Sequence, residues 1–149
     1  MKVKKVLQLD NFRNRWEKLF FNFQLTQSNI NRYVKNCFKN APITYQQYMV
    51  LSILSGANEP VNQAYVKERI VDKDSDVSRL IGRLVQLGYI TKKLRPDDKR
   101  HALIELSDSG RAVHEQMLGQ IHTIDEVFFN LSRAEVKQLN AILDKIRES

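Results

Sequence analysis

The chain has 149 residues, enough for one domain with a substantial hydrophobic core. A hydrophobic fraction of 42% with only 5 Gly and 3 Pro favours a compact, helix-rich protein and excludes a disordered one. No run of about 18 apolar residues is present and the N-terminal sequence lacks the features of a secretory signal, so neither a membrane span nor export is expected. The single cysteine, Cys37, cannot form an internal disulfide, which suits a cytoplasmic location.

The formal net charge of +7 is distributed unevenly. Residues 1–39 carry nine Lys and Arg against two Asp and Glu, and residues 67–101 carry ten against six. Residues 102–149 are acidic, with five against eight. A localised basic excess is typical of a protein that binds a polyanion, although charge alone fits a solvated basic surface equally well.

A long amphipathic helix is predicted near the start of the chain. Apolar residues recur largely at three- and four-residue steps over residues 10–38, which is the spacing of one helical face. The polar run Thr26–Asn29 suggests a bend within this helix.

Two shorter helices are predicted next from their capping residues. Thr44, with Gln47 three residues later, has the pattern of a capping box, and Gly56 is expected to end the helix that it begins. Asn62 is expected to cap a third helix that ends near Ile70.

A fourth helix and a hairpin are predicted after these. The helix is expected to begin within Asp72–Ser75 and to end at Gly88. Its predicted buried stripe consists of Val77, Leu80, Ile81, Leu84 and Leu87. Two strands, Tyr89–Leu94 and His101–Leu106, are expected to flank residues 95–100, where Pro and Asp favour a turn.

Two helices are predicted to complete the chain. Ser107 or Ser109 is expected to begin a long helix that reaches about Asn130. Ser132, with Glu135 three residues later, predicts a second capping box and a last helix. The predicted order is four helices, a two-stranded hairpin and two helices, a mainly α fold with minor β content.

The segment from Val66 to Gly110 carries a resemblance to a known family. SRLIGRLVQLGYI, followed by Asp98-Lys99-Arg100 and by Leu106-Ser107-Asp108-Ser109-Gly110, is similar to the recognition-helix, wing and post-wing signature of the MarR family of bacterial winged helix-turn-helix regulators. Residues 42–47 and Leu51 resemble the opening of that family's second helix. The resemblance covers almost the whole chain and implies an obligate homodimer that regulates transcription, often a repressor released by a small ligand or an oxidant.

The predicted organisation is one MarR-like domain over residues 1–149. The winged helix-turn-helix is expected over about residues 44–106, and dimerisation helices over about 8–38 and 108–147. These terminal helices carry more apolar surface than a small helix-turn-helix core can cover. Pairing with a second copy of the chain would bury the remaining apolar surface. The resulting two-fold axis suits a pseudo-palindromic operator with half-sites about 34 Å apart. A larger monomeric core is the alternative.

Candidate DNA contacts lie in the fourth helix and in the wing. Arg79 and Arg83, one turn apart, have donors for guanine edges or phosphates, with an ion pair inside the chain as the alternative. At the wing, Arg100 suits the narrow minor groove, and Asp98 would hold it extended through a bidentate pair. The predicted contact set is Ser75, Asp76, Ser78, Arg79, Arg83, Lys92, Arg95, Lys99 and Arg100.

The start of the fourth helix departs from the pattern of many family members. Three carboxylates stand in the segment 72–76, where an uncharged run is common. Capping explains them, because carboxylates favour the positive end of a helix. The alternative is that Asp74 or Asp76 accepts a hydrogen bond from cytosine N4. Gly82 costs helix stability, and either a close approach of DNA or simple tolerance accounts for it.

Evidence for other chemistry is weak. Trp16, Phe20 and Tyr48 are candidates for an effector pocket, in a cleft between the first two helices and the post-wing helix. The resembling family binds ligands in a cleft of this kind. The alternative is that these side chains pack in the core or in the dimer interface. The peroxide-sensing branch of the resembling family has a cysteine near the start of the first helix, whereas Cys37 lies at the far end of that helix. The resemblance therefore implies no redox switch here, and a buried structural cysteine is expected. The spacing of the three histidines gives no convincing metal site, and no cofactor is expected.

The predicted function is a dimeric, sequence-specific transcription regulator whose partners are double-stranded DNA, a second copy and a small-molecule effector. The alternative is a winged-helix module that binds another protein without specific DNA binding. An enzyme is not expected, because the chain has no Gly-rich phosphate loop, no H-E-x-x-H and no G-x-S-x-G.

Overall fold

A computed structural model describes residues 2–7, 11–93 and 102–148. Its elements in chain order are α1 (Val3–Leu7), α2 (Arg15–Cys37), α3 (Tyr45–Ala57), α4 (Gln63–Arg69), α5 (Val77–Gln86), β1 (Ile90–Lys93), β2 (Leu103–Leu106), α6 (Asp108–Ile121), the 3₁₀ helix η1 (His122–Phe128) and α7 (Arg133–Arg147). The predicted fold class, mainly helical with a small hairpin, is confirmed. None of the helices described is long and apolar enough to cross a membrane.

The chain divides into two compact units. The first comprises Met1–Tyr33 and His122–Ser149, and the second comprises Val34–Ile121. The second unit contains α3, α4, α5, the hairpin and most of the hydrophobic core. The assignment of one domain over residues 1–149 stays a prediction.

In the core of the second unit, side chains of the helices pack against side chains of the hairpin. Its largest fully buried side chains are Leu51, Ile81, Leu84, Ile90, Ile104, Met117, Val50 and Val66. In the antiparallel hairpin Ile90 lies opposite Leu106 and Lys93 opposite Leu103. Val61 adds a backbone bridge to Ile104, with N···O distances of 3.0 and 2.7 Å. β2 is therefore hydrogen-bonded on both edges, to β1 on one side and to Val61 on the other.

Helix α3 begins as predicted and ends later. The Thr44 hydroxyl accepts from the Gln47 amide at 3.2 Å, and the Gln47 side-chain oxygen accepts from the Thr44 amide at 2.8 Å, which completes the capping box. The prediction that Gly56 ends this helix is wrong. Asn58 takes the left-handed conformation, with φ 58°, which asparagine tolerates better than most residues.

Helix α5 is shorter than predicted at both ends. It begins at Val77 after the N-cap Asp76, rather than within the preceding acidic segment. At its end Gly88 has φ 76°, and the Tyr89 amide donates to the Leu84 carbonyl at 2.9 Å, the hydrogen bond of a Schellman motif. Leu87, predicted to be buried, lies in this terminating turn and is 37% exposed.

In the first unit, α2 begins at Arg15 rather than at residue 10. Helical structure continues through Thr26–Asn29, where the Thr26 hydroxyl donates to the Asn22 carbonyl at 2.7 Å. The short helix α1 was not predicted, because five residues are too few to show an apolar periodicity. The last capping box is confirmed, since the Ser132 hydroxyl accepts from the Glu135 amide at 3.3 Å.

The helix predicted to reach Asn130 ends at Ile121 and is followed by η1. Ile121, Ile124 and Val127 are half-buried at intervals of three residues. Side chains three residues apart lie over one another in a 3₁₀ helix, so this spacing suits η1. The apolar pattern alone did not distinguish it from the continuation of an α-helix.

Candidate DNA-binding surface

Helix α5 presents one apolar and one polar face. Val77, Ile81 and Leu84 are buried in the second unit. Ser78, Arg79 and Arg83 are exposed on the other side. The amphipathic spacing that buries one stripe therefore orients the predicted DNA contacts towards solvent.

The acidic segment before α5 folds as a turn that uses its own carboxylates. An oxygen of Asp72 accepts from the Asp74 amide at 3.2 Å, and an oxygen of Asp76 accepts from the Arg79 amide at 3.0 Å. The capping role considered for these carboxylates is thus observed for Asp76. Ser75 lies in the turn before the helix and is half-buried.

An open groove of about 690 Å³ runs along the polar face of α5. Its lining consists of Thr44, Gln46, Gln47, Asp72, Ser75, Asp76, Arg79, Leu80, Gly82, Arg83 and Gln86. Carboxylates lie near the start of α5 and guanidinium groups lie along the helix. At the start of α5 the groove can therefore accept hydrogen bonds from a bound partner, and along the rest of the helix it can donate them.

The predicted contact set lacks five polar residues that line this groove: Thr44, Gln46, Gln47, Asp72 and Gln86. Gln86 follows Arg83 by three residues, and its side-chain oxygen accepts from an Arg83 guanidinium nitrogen at 3.4 Å. The interval of three residues was a usable signal for this pair. Gln46 and Gln47 belong to α3 and Thr44 is its N-cap, so no local pattern linked these residues to α5.

The described part of the wing shows two lysines on opposite faces of β1. The Lys93 ammonium lies 2.5 Å from a Glu105 carboxylate oxygen, so its charge is partly balanced within the hairpin. Lys92, opposite Ile104, is exposed. The other predicted wing residues lie outside the described residues: Arg95, Asp98, Lys99 and Arg100.

The three candidates for an effector pocket lie in different parts of the chain. Trp16 and Phe20 belong to the first unit, where with Arg13 and Phe21 they help to line an open groove of about 370 Å³. Tyr48 belongs to the second unit and is 5% exposed in its core. Whether any of them binds an effector stays a prediction.

Cys37 and His114 are both half-buried. Cys37, the last residue of α2, is half-buried rather than fully buried. His114 is half-buried on α6, its Nε2 lies 3.1 Å from the Ser52 hydroxyl, and burial lowers the pKa of its imidazole. Within the described ranges no group of three or more His, Cys, Asp or Glu is placed to hold a metal ion.

Sequence comparison identifies the relatives of this chain. A profile described as the MarR family matches residues 41–101, which include α3, α4, α5 and the first hairpin strand, β1. The HTH-type transcriptional regulator MgrA of Staphylococcus aureus is 31% identical over 131 residues, 87% of this chain and 88% of MgrA. The chain belongs to the MarR family.

Solved structures of similar fold extend the comparison. A mutant MarR from E. coli complexed with operator DNA is 25% identical, with a TM-score of 0.77 over 92% of this chain and 99% of that one. BpsR of Bordetella bronchiseptica is 20% identical, with a TM-score of 0.80 over 93% and 99% of the two chains. This MarR-family chain is a DNA-binding transcriptional regulator with a winged-helix fold, and the prediction that it is not an enzyme is confirmed.

Proposed function

We propose that this MarR-family regulator acts as a homodimer that represses transcription from a pseudo-palindromic operator until a small molecule releases it. The observation that carries the proposal is the two-faced helix α5. Its apolar side is fixed in the core of the second unit, while Arg79 and Arg83 project over an open polar groove. A helix held in this way is suited to the DNA major groove.

Each part of the surface has a proposed role on DNA. Arg79 and Arg83 contact guanine edges or phosphates, and Ser75, Asp76 and Ser78 contact neighbouring groups at the start of α5. Asp76 keeps one carboxylate oxygen in its cap, so its contact with DNA uses the other. Lys92, Arg95 and Lys99 contact phosphates, and Arg100, oriented by Asp98, enters the minor groove.

The exposed apolar side chains of the first unit support the proposed dimer. On α2 they are Trp16, Leu19, Phe20 and Phe23, and on α7 they are Val136, Leu139, Ile142 and Ile146. Trp16 is 68% exposed and Phe20 is 57% exposed. Apolar sets of this size mark association surfaces. A second copy of the chain is the proposed occupant, because two-fold pairing supplies the second α5 that a palindrome requires.

The proposed effector is a small aromatic molecule. DNA binding by BpsR is regulated by 6-hydroxynicotinic acid, which is aromatic and acidic. In the first unit of this chain, the Trp16 and Phe20 rings line one groove with Arg13, whose guanidinium lies 3.6 Å from the Glu17 carboxylate in the same groove. The aromatic faces suit an aromatic ring, and the carboxylate of an aromatic acid would replace Glu17 as the partner of the guanidinium. Tyr48, in the second unit, is the remaining candidate. A cytoplasmic location is consistent with this role.

The first experiment is fluorescence-anisotropy titration of DNA from immediately upstream of the protein's own gene. Scrambled DNA of the same composition is titrated in parallel, each at several salt concentrations. We expect selective binding with a steep salt dependence. Arg79→Ala should weaken binding by about 1–3 kcal/mol. Arg133→Ala, which removes the same charge from the start of α7, is the matched control and should bind as the unmodified chain does.

The outcomes distinguish the functions considered. Equal affinity for both DNAs, or equal loss in the Arg79 and Arg133 variants, would contradict sequence-specific binding through α5. Absence of binding at every salt concentration would favour the protein-binding alternative. Sedimentation of the same samples tests the dimer, because a chain that stays monomeric at the concentrations that saturate the operator would contradict it.

A further inference from the structure

Ser107 joins three elements at the base of the wing. Its hydroxyl donates to the Gly88 carbonyl, directly after α5, at 2.5 Å. Its backbone amide donates to the Tyr89 carbonyl at 3.1 Å, just before β1. Its hydroxyl oxygen also accepts from the Gly110 amide in the first turn of α6, at 3.0 Å. We call these three hydrogen bonds the Ser107 clasp.

The hydroxyl protons in this region are fully committed. Ser109 also lies within hydrogen-bonding distance, with its hydroxyl 2.8 Å from the Gly88 carbonyl and 2.9 Å from that of Ser107. The two serines supply only two hydroxyl protons for these three short contacts. The Gly88 carbonyl has two lone pairs and accepts both protons in one arrangement. Removing the Ser107 hydroxyl leaves the Gly110 amide without this acceptor.

The backbone packing around the clasp is equally tight. A Cβ on Gly110 would lie 2.0 Å from the Tyr89 carbonyl oxygen. Only glycine at position 110 therefore permits α6 to approach the start of β1 this closely. The carbonyl that would meet this Cβ is the same one that accepts from the Ser107 amide. Side-chain and backbone contacts therefore fix a single junction between α5, the hairpin and α6.

The hairpin leaves from this junction. Its first rung pairs Ile90 with Leu106, and Leu106 immediately precedes Ser107. A strand of four residues is roughly 13 Å long, so a tilt of about 10° at its base moves its end by roughly 2 Å. A displacement of that size exceeds the tolerance of a hydrogen bond.

We propose that Ser107 is a positioning residue for DNA binding: its hydroxyl holds the wing at the angle to α5 at which both can contact the duplex at once. This inference rests on the proposed contact of α5 and Lys92 with DNA. Ser107 itself touches no DNA. Without the hydroxyl the wing keeps only the backbone bond from Ser107 to Tyr89 and the Ser109 contact with Gly88, so its angle to α5 is no longer fixed. Lys92 then loses its phosphate contact while α5 keeps its own contacts.

The test compares Ser107→Thr with Ser107→Val in the full-length chain. The two side chains have nearly the same shape, and only threonine keeps the hydroxyl. We expect Ser107→Thr to bind operator as the unmodified chain does. We expect Ser107→Val to bind on the order of tenfold more weakly, with a salt dependence shallower by about one unit for each phosphate that the wing no longer neutralises. Circular dichroism of each variant shows whether it is folded before its DNA binding is compared.

The salt dependence separates positioning from stability. A variant that is only less stable binds the same phosphates once it is on DNA, so its logarithmic slope against salt is unchanged. An unchanged slope and affinity in Ser107→Val would overturn the proposal, as would weaker binding at unchanged slope. If Ser107→Val does not fold, Ser107→Ala removes the same hydroxyl with less bulk and takes its place in the comparison.

A second measurement needs no DNA, which separates this inference from the proposed function. Amide hydrogen exchange in β1 and β2 should be faster in Ser107→Val than in Ser107→Thr, with exchange in α3 unchanged. Equal exchange in the two variants would show that the hydroxyl does not hold the hairpin. Failure of the unmodified chain to bind any operator would count against the proposed function and would leave this readout intact.

Discussion

His114 on α6 stacks on Tyr48 of α3 with nearly parallel, offset rings, the ring centroids 5.5 Å apart and the planes inclined by 12°. The Ser52 hydroxyl, one turn further along α3, lies 3.1 Å from the imidazole Nε2. The imidazole is thus held by a ring face and a hydrogen bond from the same helix. It provides a polar link between these two helices, which pack within the second unit.

The first prediction is that acid weakens this link. Burial lowers the pKa of His114 below its ordinary 6.5, and Glu115 opposes this only in part. Well above pH 6.5 the imidazole is neutral in both the folded and the unfolded chain, so its titration does not change the stability there. As the pH falls through this value the unfolded chain takes up the proton first. The free energy of unfolding should therefore fall until the folded pKa is reached.

Urea unfolding at about pH 7.5 and about pH 5.5 measures this effect. His114→Gln should reduce the pH dependence. His122→Gln, which changes an exposed histidine of η1, is the control. A pH dependence that is the same in both variants would contradict the assignment to His114.

The second prediction concerns Gly110. Replacement by Ala places a methyl group against the Tyr89 backbone, which cannot rotate away as a side chain can. We expect a loss of about 1–3 kcal/mol or more in the free energy of unfolding. Gly119→Ala, in the same helix, is the matched control, because no described atom lies within 4 Å of its Cβ position. Denaturant unfolding of both variants checks this, and similar stabilities would contradict the close approach.

The third prediction separates the stability of α5 from its contact with DNA. No described atom lies within 4 Å of the Cβ position of Gly82, so Gly82→Ala fits the folded chain. It should stabilise the helix by up to about 1 kcal/mol. If the glycine permits close approach of a DNA backbone, operator affinity should nevertheless fall. Unfolding and anisotropy titrations check both halves, and unchanged affinity would show that the glycine is merely tolerated.

The fourth prediction concerns Arg100, which lies outside the described residues. Arg100→Ala should weaken operator binding by about 1–3 kcal/mol and leave thermal unfolding unchanged. The effect should be larger for operators with an A·T-rich segment beside each half-site, because a narrow minor groove attracts an inserted guanidinium. Equal affinity of the Arg100→Ala and unmodified chains for such operators would rule out the wing contact.

Features set by neighbouring residues were predictable from the sequence. The capping boxes of Thr44 with Gln47 and of Ser132 with Glu135 each depend on side chains three residues apart, and both form as expected. The buried positions Val77, Ile81 and Leu84 followed from helical spacing in the same way. Here local chemistry and tertiary packing favour the same structure.

Features set by distant residues were not predictable. Within the Ser107 clasp, the bond to the Gly110 amide is local and agrees with the expectation that Ser107 or Ser109 begins α6. The bond to Gly88 joins residues 19 positions apart, and no pattern in the sequence near Gly88 predicts it. The end of α3 was misplaced because Asn58, rather than a glycine, takes the left-handed conformation. Gln46 reaches the groove beside α5 only because α3 packs against α5. These outcomes depend on which surfaces meet in three dimensions.

The length of α5 limits what one copy of the chain can recognise. Ten residues at 1.5 Å each give a helix of about 15 Å, which spans only four or five base pairs of DNA at about 3.4 Å per pair. A sequence so short recurs throughout any genome. One helix therefore carries too little information to single out a promoter. Selectivity for one site requires several DNA-contacting elements, each of which recognises a few base pairs at a fixed distance from the others. The distances between these elements therefore matter as much as their side chains.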